Sequence, residues 1–352
     1  MDINLPLKIE EDVGRAVSRV SSKMLSIDEL LSKELGSDYE SYRKEWNLSF
    51  DNTHKIRNAP IHLDIEMQDF CNQACVMCPR DSLNHKDLPY ELDTKITTNH
   101  DLIKATIQRA AQEGLRSVNF GAFSEPLISK NLWELISFSH ANGIVDSRVI
   151  TNGLLIDKYI DQIFSSGLVN LFVSLDAFTE PVYELIRGKG FNKVIKNLNA
   201  VIQRKQQISS ALPIIRVSFV EMDQNRHEKD DFIRYWVSKV DHVDIQTWSD
   251  YKKTASQEEI SDKKVFDCKS PWQRLAITAR GEILPCCDFN GRNLVLGNIN
   301  EISLIDAWNS DNMTKVRNDL QTQKSATCES CQRSRGITNS YLKSYNNSET
   351  QQ

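Results

Sequence analysis

The chain has 352 residues, 40% of them apolar and 26% charged, with 43 basic against 48 acidic side chains and 8 cysteines; its mean hydropathy is -0.44. This is the profile of a folded globular protein of about two domains and excludes disordered, collagen-like and small disulfide-stapled chains. No run of about 18 apolar residues offers a membrane span, and a formal net charge of -5 supplies no general field for nucleic acid.

The opening Met1-Asp2-Ile3-Asn4-Leu5-Pro6 has neither a basic stretch nor an apolar one, so a cytoplasmic location is expected. Residues 1–58 read as a polar, mostly helical extension. Ser26-Ile27-Asp28-Glu29 predicts a capping box, Gly36 a helix stop, and Tyr42, Arg43 and Trp46 a shared helix face. It is expected to be a packing arm or lid, with contact to substrate as the alternative. From Pro60 to about Asp250, six apolar or β-branched runs (61–67, 116–121, 147–151, 169–175, 214–221 and 242–247) alternate with amphipathic stretches at 101–112, 132–141, 157–164, 192–203 and 229–240. That alternation predicts an α/β fold, a partial (β/α)6 TIM-like barrel over residues 59–255 with its chemistry at the carboxyl ends of the strands. Residues 256–335 predict a small C-terminal domain around a metal centre, with a single helix from Leu304 to about Leu320. Residues 336–352 are polar and expected to be disordered.

A cytosolic chain of this length has no need of disulfides, so the cysteines call for another explanation. Cys71, Cys75 and Cys78 form a C-x3-C-x2-C loop just after the first strand. Three thiolates on an iron–sulfur cubane leave one iron without a protein ligand. Zinc wants a fourth ligand, for which His62 and His85 are the local candidates, and three buried unligated thiols are the remaining alternative. Cys268, Cys286, Cys328 and Cys331 read C-x17-C-x41-C-x2-C, which suits a second cluster or a four-thiolate zinc site. Cys287 is left over, either an inert buried thiol or a hydrogen-atom donor. There is no P-loop, dinucleotide fingerprint or nucleophile elbow.

The first loop resembles the hallmark of the radical SAM superfamily. The resemblance implies that Cys71, Cys75 and Cys78 hold a [4Fe-4S] cluster, that S-adenosylmethionine chelates its open iron, and that one-electron cleavage gives a 5′-deoxyadenosyl radical that takes a substrate hydrogen. Gly121-Ala122-Phe123-Ser124-Glu125-Pro126 is similar to the family's Gly-Gly-Glu-Pro stretch, with Ser124 replacing the second glycine; Ser124 and Glu125 are then the candidates for the amino group. A helix-terminal carboxylate serving only the dipole is the plainer alternative. Thr151-Asn152-Gly153 and Ser174-Leu175-Asp176 look like the family's third- and fourth-strand stretches, and Arg187-Gly188, on the next helix, like its downstream Arg-Gly. They would place Ser174 and Arg187 at the methionine carboxylate and Asn152 in the pocket, with Met77, Met222 and Asn225 near the nucleoside.

Gly281-Glu282-Ile283-Leu284-Pro285-Cys286-Cys287 and the following Leu296 to Asn309 resemble the SPASM/twitch extension, and the cysteine count matches its shortened twitch form with one auxiliary [4Fe-4S] cluster. The spacing is similar to that of twitch aminocyclitol dehydrogenases. The resemblance implies an oxidoreductase that takes a small polar substrate, a sugar or aminocyclitol alcohol, and draws electrons from flavodoxin or ferredoxin. Epimerisation with Cys287 as donor, peptide maturation, and a non-catalytic iron–sulfur or zinc scaffold are the alternatives. The catalytic base is sought in Trp248 to Lys253, with Tyr251 and Lys252 as candidates, and at Arg216 and Glu221.

Overall fold

In the computed structural model, residues 7–12, 17–23, 25–49, 56–80, 95–249, 268–322 and 324–335 are described. The chain opens with a hairpin, β1 (Lys8–Asp12) and β2 (Val17–Ser21), then α1 (Ile27–Leu35) and α2 (Ser37–Leu48). There follow β3 (His62–Ile65), α3 (His100–Gln112), β4 (Ser117–Phe120), α4 (Leu132–Ala141), β5 (Asp146–Thr151), α5 (Ile160–Ser165), β6 (Asn170–Ser174), α6 (Glu180–Arg187) and α7 (Phe191–Gln207). Next come β7 (Ile214–Glu221), α8 (Lys229–Trp236) and β8 (His242–Thr247). After the undescribed 250–267 the C-terminal segment forms α9 (Ser270–Gln273), β9 (Arg274–Ile277), β10 (Glu282–Leu284), β11 (Gly297–Asn298), α10 (Leu304–Trp308), α11 (Asp311–Gln321) and α12 (Ala326–Arg335).

The strands lie in one open sheet in the order β1-β2-β8-β7-β6-β5-β4-β3-β9-β10-β11. Pairing is parallel from β8 across to β9 and antiparallel at both flanks. The six expected strands are all present, as a partial barrel. Two features differ from the sequence reading. The C-terminal segment supplies a seventh parallel strand, β9, in register with β3 from His62↔Arg274 to Ile65↔Ile277. The N-terminal region is not helical throughout, because its charged first strand, Lys-Ile-Glu-Glu-Asp, pairs with β2, which extends the sheet beyond β8. Charged residues on an outermost strand blunt an edge that would otherwise invite pairing.

Each parallel strand alternates. Leu63, Val118, Val149, Leu171, Val173, Val217, Phe219 and Val243 pack into the main core under the helices. Their neighbours His62, Asp64, Asn119, Arg148, Asn170, Phe172, Arg216, His242 and Asp244 therefore point to the other, inner face, because successive side chains on a strand face opposite ways. The core continues through Leu275, Ile277, Ile283, Leu304, Trp308 and Met313 of the C-terminal segment.

The capping box forms as expected, with Glu29 N–H donating to Ser26 Oγ at 3.1 Å and Ser26 N–H to Glu29 at 2.7 Å. Gly36, at φ 72°, ends α1, and α2 then lays Tyr39, Tyr42 and Trp46 into a second core cluster with Leu31, Ile61, Val169 and Ile214. Trp46 stands edge-on to His62 at 5.8 Å, and the Arg274 guanidinium lies 5.4 Å from its ring. These contacts are with the first residues of the barrel strands, so α2 closes the barrel's amino-terminal end: the packing-arm reading. The helix expected from Leu304 to Leu320 is two helices, because the Ser310 side chain caps Met313 N–H at 3.1 Å and starts α11 afresh.

Candidate active site

The loop that carries Cys71, Cys75 and Cys78 leaves the carboxyl end of β3. It is tied to α6 and to the loop after β4. Val76 N–H donates to Ile186 O at 2.9 Å, Glu125 N–H to Phe70 O at 3.2 Å, and Gln73 Nε2 to the Tyr183 hydroxyl at 2.9 Å. Asn152 Nδ2 lies 3.9 Å from the Cys71 sulfur and Arg187 Nη1 3.7 Å from that of Cys75. All three cysteines are half-buried. Burial raises each thiol, Cys78 to about 12; the charge of Cys71 adds to this at Cys75, and those of Cys75 and Cys71 add to it at Cys78. Such thiols ionise when a metal centre supplies the compensating charge. Their chemistry and grouping fit an iron–sulfur centre.

Two carboxylates brace the loops above the barrel. Glu66, at the end of β3, accepts from Ala122, Phe123 and Ser124 N–H at 2.9, 2.8 and 3.2 Å and from Ser124 Oγ at 2.6 Å. Glu125 is 2% exposed. It accepts from Leu127 N–H at 3.1 Å, Thr151 Oγ1 at 2.7 Å and Asn152 N–H at 2.8 Å. Burial lifts it to about 7 against those donors. The structure thus spends the Glu125 carboxylate on joining its loop to the end of β5. Ser124, half-buried, has its hydroxyl on Glu66.

Arg187 is buried against Asp176, to which Nε donates at 2.7 Å with a second, shorter bond from Nη2. Burial lowers its pKa, but Asp176 and Cys75 outweigh that and hold it a cation. Asp176 sits at φ 60°, and its other oxygen accepts Val220 N–H at 2.8 Å. Asn225 closes the same corner, accepting from Met222 N–H at 2.8 Å and donating to Asp176 O and Val220 O. Met222 is buried, whereas Met77 and Ser174 are half-buried.

A second group of cysteines lies in the C-terminal segment. Cys268, Cys286, Cys328 and Cys331 line one cavity, with Cys287 in the same wall. Gly291 lets the backbone approach: a Cβ there would stand 2.8 Å from the Cys286 sulfur. Burial pushes the Cys286 thiol well up, and Asp288, Cys287, Cys331 and Cys268 add to it. Four thiols around one space fit an iron–sulfur centre. Among the described residues, no three Cys, His, Asp or Glu side chains gather as a single ion would need.

Cys286 and Cys287 also line a cavity between the barrel mouth and the C-terminal segment, opposite Asp64, Glu66 and Phe123, with Asp288 and Arg292 beside them. The Arg292 guanidinium sits 5.0 Å from the Phe123 ring and 4.6 Å from that of Phe289. Cys287 lies 3.4 Å from Arg274 Nη1, which also donates to Asp64 at 3.1 Å. The spare thiol is therefore part of a cavity wall.

Other candidates fall elsewhere. His62 shares hydrogen bonds with Ser117 Oγ at 2.5 Å and Asp64 at 3.2 Å inside the barrel, so it is committed away from the first loop. Arg216 is ion-paired to Asp244 and stacked 5.1 Å from Phe172. Burial lowers it to about 10, which leaves it a cation at neutral pH, so the structure corrects its reading as a base. Glu221 is paired with Arg226 and Lys229 at 3.1 and 3.0 Å on the rim. Tyr251, Lys252 and His85 lie outside the described residues. The sequence reading missed Glu66, Asp64, Arg274 and Arg292. The polar alternation of β3 and the position of Arg292 four residues past Asp288 were the signals to hand.

Comparison with known proteins agrees with this geometry. Residues 65–221 match the family model described as Radical SAM superfamily. Residues 268–332 match SPASM, described as an iron-sulfur cluster-binding domain. A GTP 3',8-cyclase of Alkaliphilus oremlandii is 28% identical over 182 residues, 51% of this chain and 53% of that protein. The chain matches about half to three-fifths of the length of such relatives. Among solved structures, Streptococcus suis SuiB bound to S-adenosylmethionine aligns with a TM-score of 0.56 at 15% identity, covering 85% of this chain and 87% of that one. BtrN in complex with AdoMet and 2-DOIA aligns at 0.48 and 17%, covering 77% and 92%. The likeness to SuiB speaks to the fold alone. Among the described residues, no helix is long and apolar enough to cross a membrane. An iron–sulfur centre with S-adenosylmethionine in the barrel and an iron–sulfur centre in the C-terminal domain are the cofactors of these two domains, and cysteines stand ready in both. The chain carries a radical SAM domain in its barrel and, after it, a SPASM-type iron–sulfur domain.

Proposed function

We propose that this protein removes a hydrogen atom from a small polar substrate and oxidises it, a sugar or aminocyclitol alcohol being the substrate class, with flavodoxin or ferredoxin as reductant. The observation that carries this is the shared wall: Cys286 and Cys287 line both the four-cysteine cavity and the cavity at the barrel mouth. A substrate seated at the mouth is therefore next to a centre that can exchange electrons with it.

When bound, the first [4Fe-4S] cluster and S-adenosylmethionine supply the 5′-deoxyadenosyl radical, and the auxiliary [4Fe-4S] cluster, whose four thiolates leave no iron open, supplies an electron acceptor. The protein's own part is positional. Cys71, Cys75 and Cys78 would hold three irons. Arg187, steered by Asp176, places a cation beside Cys75, where it favours the thiolate and offers Nη1 to an anion. Glu66 and Glu125 pin the loop 122–127 and the end of β5, so Ser124 and Asn152 face the loop from fixed backbones.

A second reading, redox-neutral epimerisation with Cys287 as hydrogen donor, is favoured by the same thiol's place in the mouth cavity. Anaerobic turnover with reductant separates them. Oxidation yields 5′-deoxyadenosine with a product two mass units lighter. A product of unchanged mass in ordinary water that gains one deuterium in heavy water means epimerisation. Absence of 5′-deoxyadenosine from protein with full iron and sulfide loading sinks both.

A further inference from the structure

On the inner face of the barrel, one wall leaves buried polar atoms of both kinds unpaired, with the acceptors Asn119 Oδ1, Asn170 Oδ1 and Asp244 Oδ1 among them. Arg216, on β7, is 4% exposed. Its guanidinium is fixed by the ion pair to Asp244 and by the Phe172 ring. Yet its Nε finds no partner, nor do the Nε of Arg148 and the Nδ1 of His242. Three buried donors or would-be donors on β5, β7 and β8 are unusual, since buried polar atoms are nearly always paired and each orphan costs about 1–3 kcal/mol. The register brings them together. Arg216 pairs with His242 across β7 and β8 and with Phe172 across β6, while Arg148 stands opposite Asn170 across β5 and β6.

Charge on this wall points the same way. Asp244 is the carboxylate that answers Arg216, and Arg19 of β2 approaches it as well, at 3.9 Å. Arg148 and Arg19 both act on Arg216 as like charges. The other inner carboxylates are engaged elsewhere: Asp64 with Arg274 and His62, and Asp146 with Tyr42 and Asn170. Water could fill the donors' needs but would leave the guanidinium groups repelling one another in a poorly solvated space. An anion meets both needs, and the free Nε edge of a guanidinium suits the paired oxygens of a carboxylate or phosphate.

We propose that Arg216, Arg148 and His242 form a seat for an anionic group, a carboxylate or phosphate, which selects an acidic sugar or sugar phosphate as the substrate. The inference rests on the small-polar-substrate reading above and narrows it. Asp64, Asn119, Arg148 and Asn170 form one row of inward-facing side chains across four strands, and Asp64 lines the mouth cavity. A ligand anchored at Arg148 thus lies along the row that leads to that cavity.

The test is anaerobic calorimetric titration of the protein loaded with both clusters and S-adenosylmethionine, using D-glucuronate, glucose 6-phosphate, glucose and inorganic phosphate. Glucuronate or glucose 6-phosphate should bind at least ten-fold more tightly than glucose. Arg216→Gln should remove that preference, whereas Arg216→Lys, which keeps the charge beside Asp244, should retain most of it. Preference for glucuronate alone identifies a carboxylate seat and for glucose 6-phosphate alone a phosphate seat; inorganic phosphate that competes with either supports the anion seat itself. Equal binding of glucose and the charged sugars, no binding of any probe, or a preference untouched in Arg216→Gln overturns the proposal. Formation of 5′-deoxyadenosine by the same preparation under reductant is read separately, so loss of the seat and loss of the radical reading are told apart.

Discussion

His62 shows how one residue in this barrel couples chemistry to stability. It is buried between Ser117, Asp64 and the Trp46 ring, with Arg274 and Arg148 as nearby cations. Burial, set against the pull of Asp64, drops its pKa from 6.5 to about 4. His242 is lowered to about 4 in the same way, with Arg216 adding to the burial. Between pH 6.5 and about 4 the unfolded chain takes up these protons and the folded one does not. The stability is therefore complete above 6.5 and is lost as pH falls through that window, on the order of 3 kcal/mol for each histidine. Glu125 works in the opposite sense. Its folded value of about 7 exceeds the ordinary 4.5, so its contribution is present below 4.5 and lost as pH rises through 7. From pH 6.5 down to 4.5 it offsets one histidine and leaves the other. The thermal midpoint of the cluster-loaded protein should therefore fall from pH 6.5 to 5, and His62→Gln should flatten that fall. Parallel curves for the two proteins would show that His62 is not held neutral.

Helix α2 is the element whose loss would reach furthest. Tyr39, Tyr42 and Trp46 lie on one face and pack edge to edge at 5.6 and 6.1 Å, while Arg43 covers Tyr42 and Trp46 from outside and is held by Asp28 at 2.9 Å. Trp46→Ala removes a side chain that packs against His62 and Arg274 together. It should cost about 3–5 kcal/mol and lower the thermal midpoint far more than Arg43→Ala, whose guanidinium is partly solvated. Equal shifts from the two variants would mean that the floor is not sealed by the tryptophan. This face was legible in advance, because Tyr42 and Trp46 recur at helical spacing. The six parallel strands were legible for a related reason: each apolar run is short and bounded by turn residues. What the strand pattern also held, and what went unread, was its polar half. His62-Leu63-Asp64-Ile65-Glu66 and Arg216-Val217-Ser218-Phe219 alternate strictly, which marks a polar inner face as surely as an apolar outer one. The hairpin of β1 and β2 was illegible because an exposed edge strand is selected for charge, and charge in a short run reads as coil or helix. The two groupings of cysteines were legible from spacing alone. The carboxylates that organise their surroundings, Glu66 and Asp176, were not, since their partners are backbone groups and an arginine that only the fold brings near.

At the scale of the whole molecule, the C-terminal segment is part of the barrel. β9 hydrogen-bonds along the full length of β3, Arg274 answers Asp64, and Trp308 Nε1 donates to Arg57 O at 2.8 Å. The apolar core runs without a break from Leu63 and Val118 to Leu275, Trp308 and Met313. The barrel and the small C-terminal domain read from the sequence therefore share one sheet and one core, with two consequences. Removing residues 268–352 would expose β3 as an unpaired edge strand, the geometry that invites pairing with other chains. It would also strip a buried carboxylate of its guanidinium, and breaking such a pair costs about 3–5 kcal/mol against a total stability of about 5–15 kcal/mol. A chain ending at residue 267 should be recovered aggregated or not at all. By contrast, full-length protein with Cys328 and Cys331 both changed to serine should stay soluble and keep its first cluster, because β9 and the core remain. Iron content and gel filtration decide between these outcomes. A soluble, monomeric truncated barrel would show that β9 covers β3 without being needed to complete it.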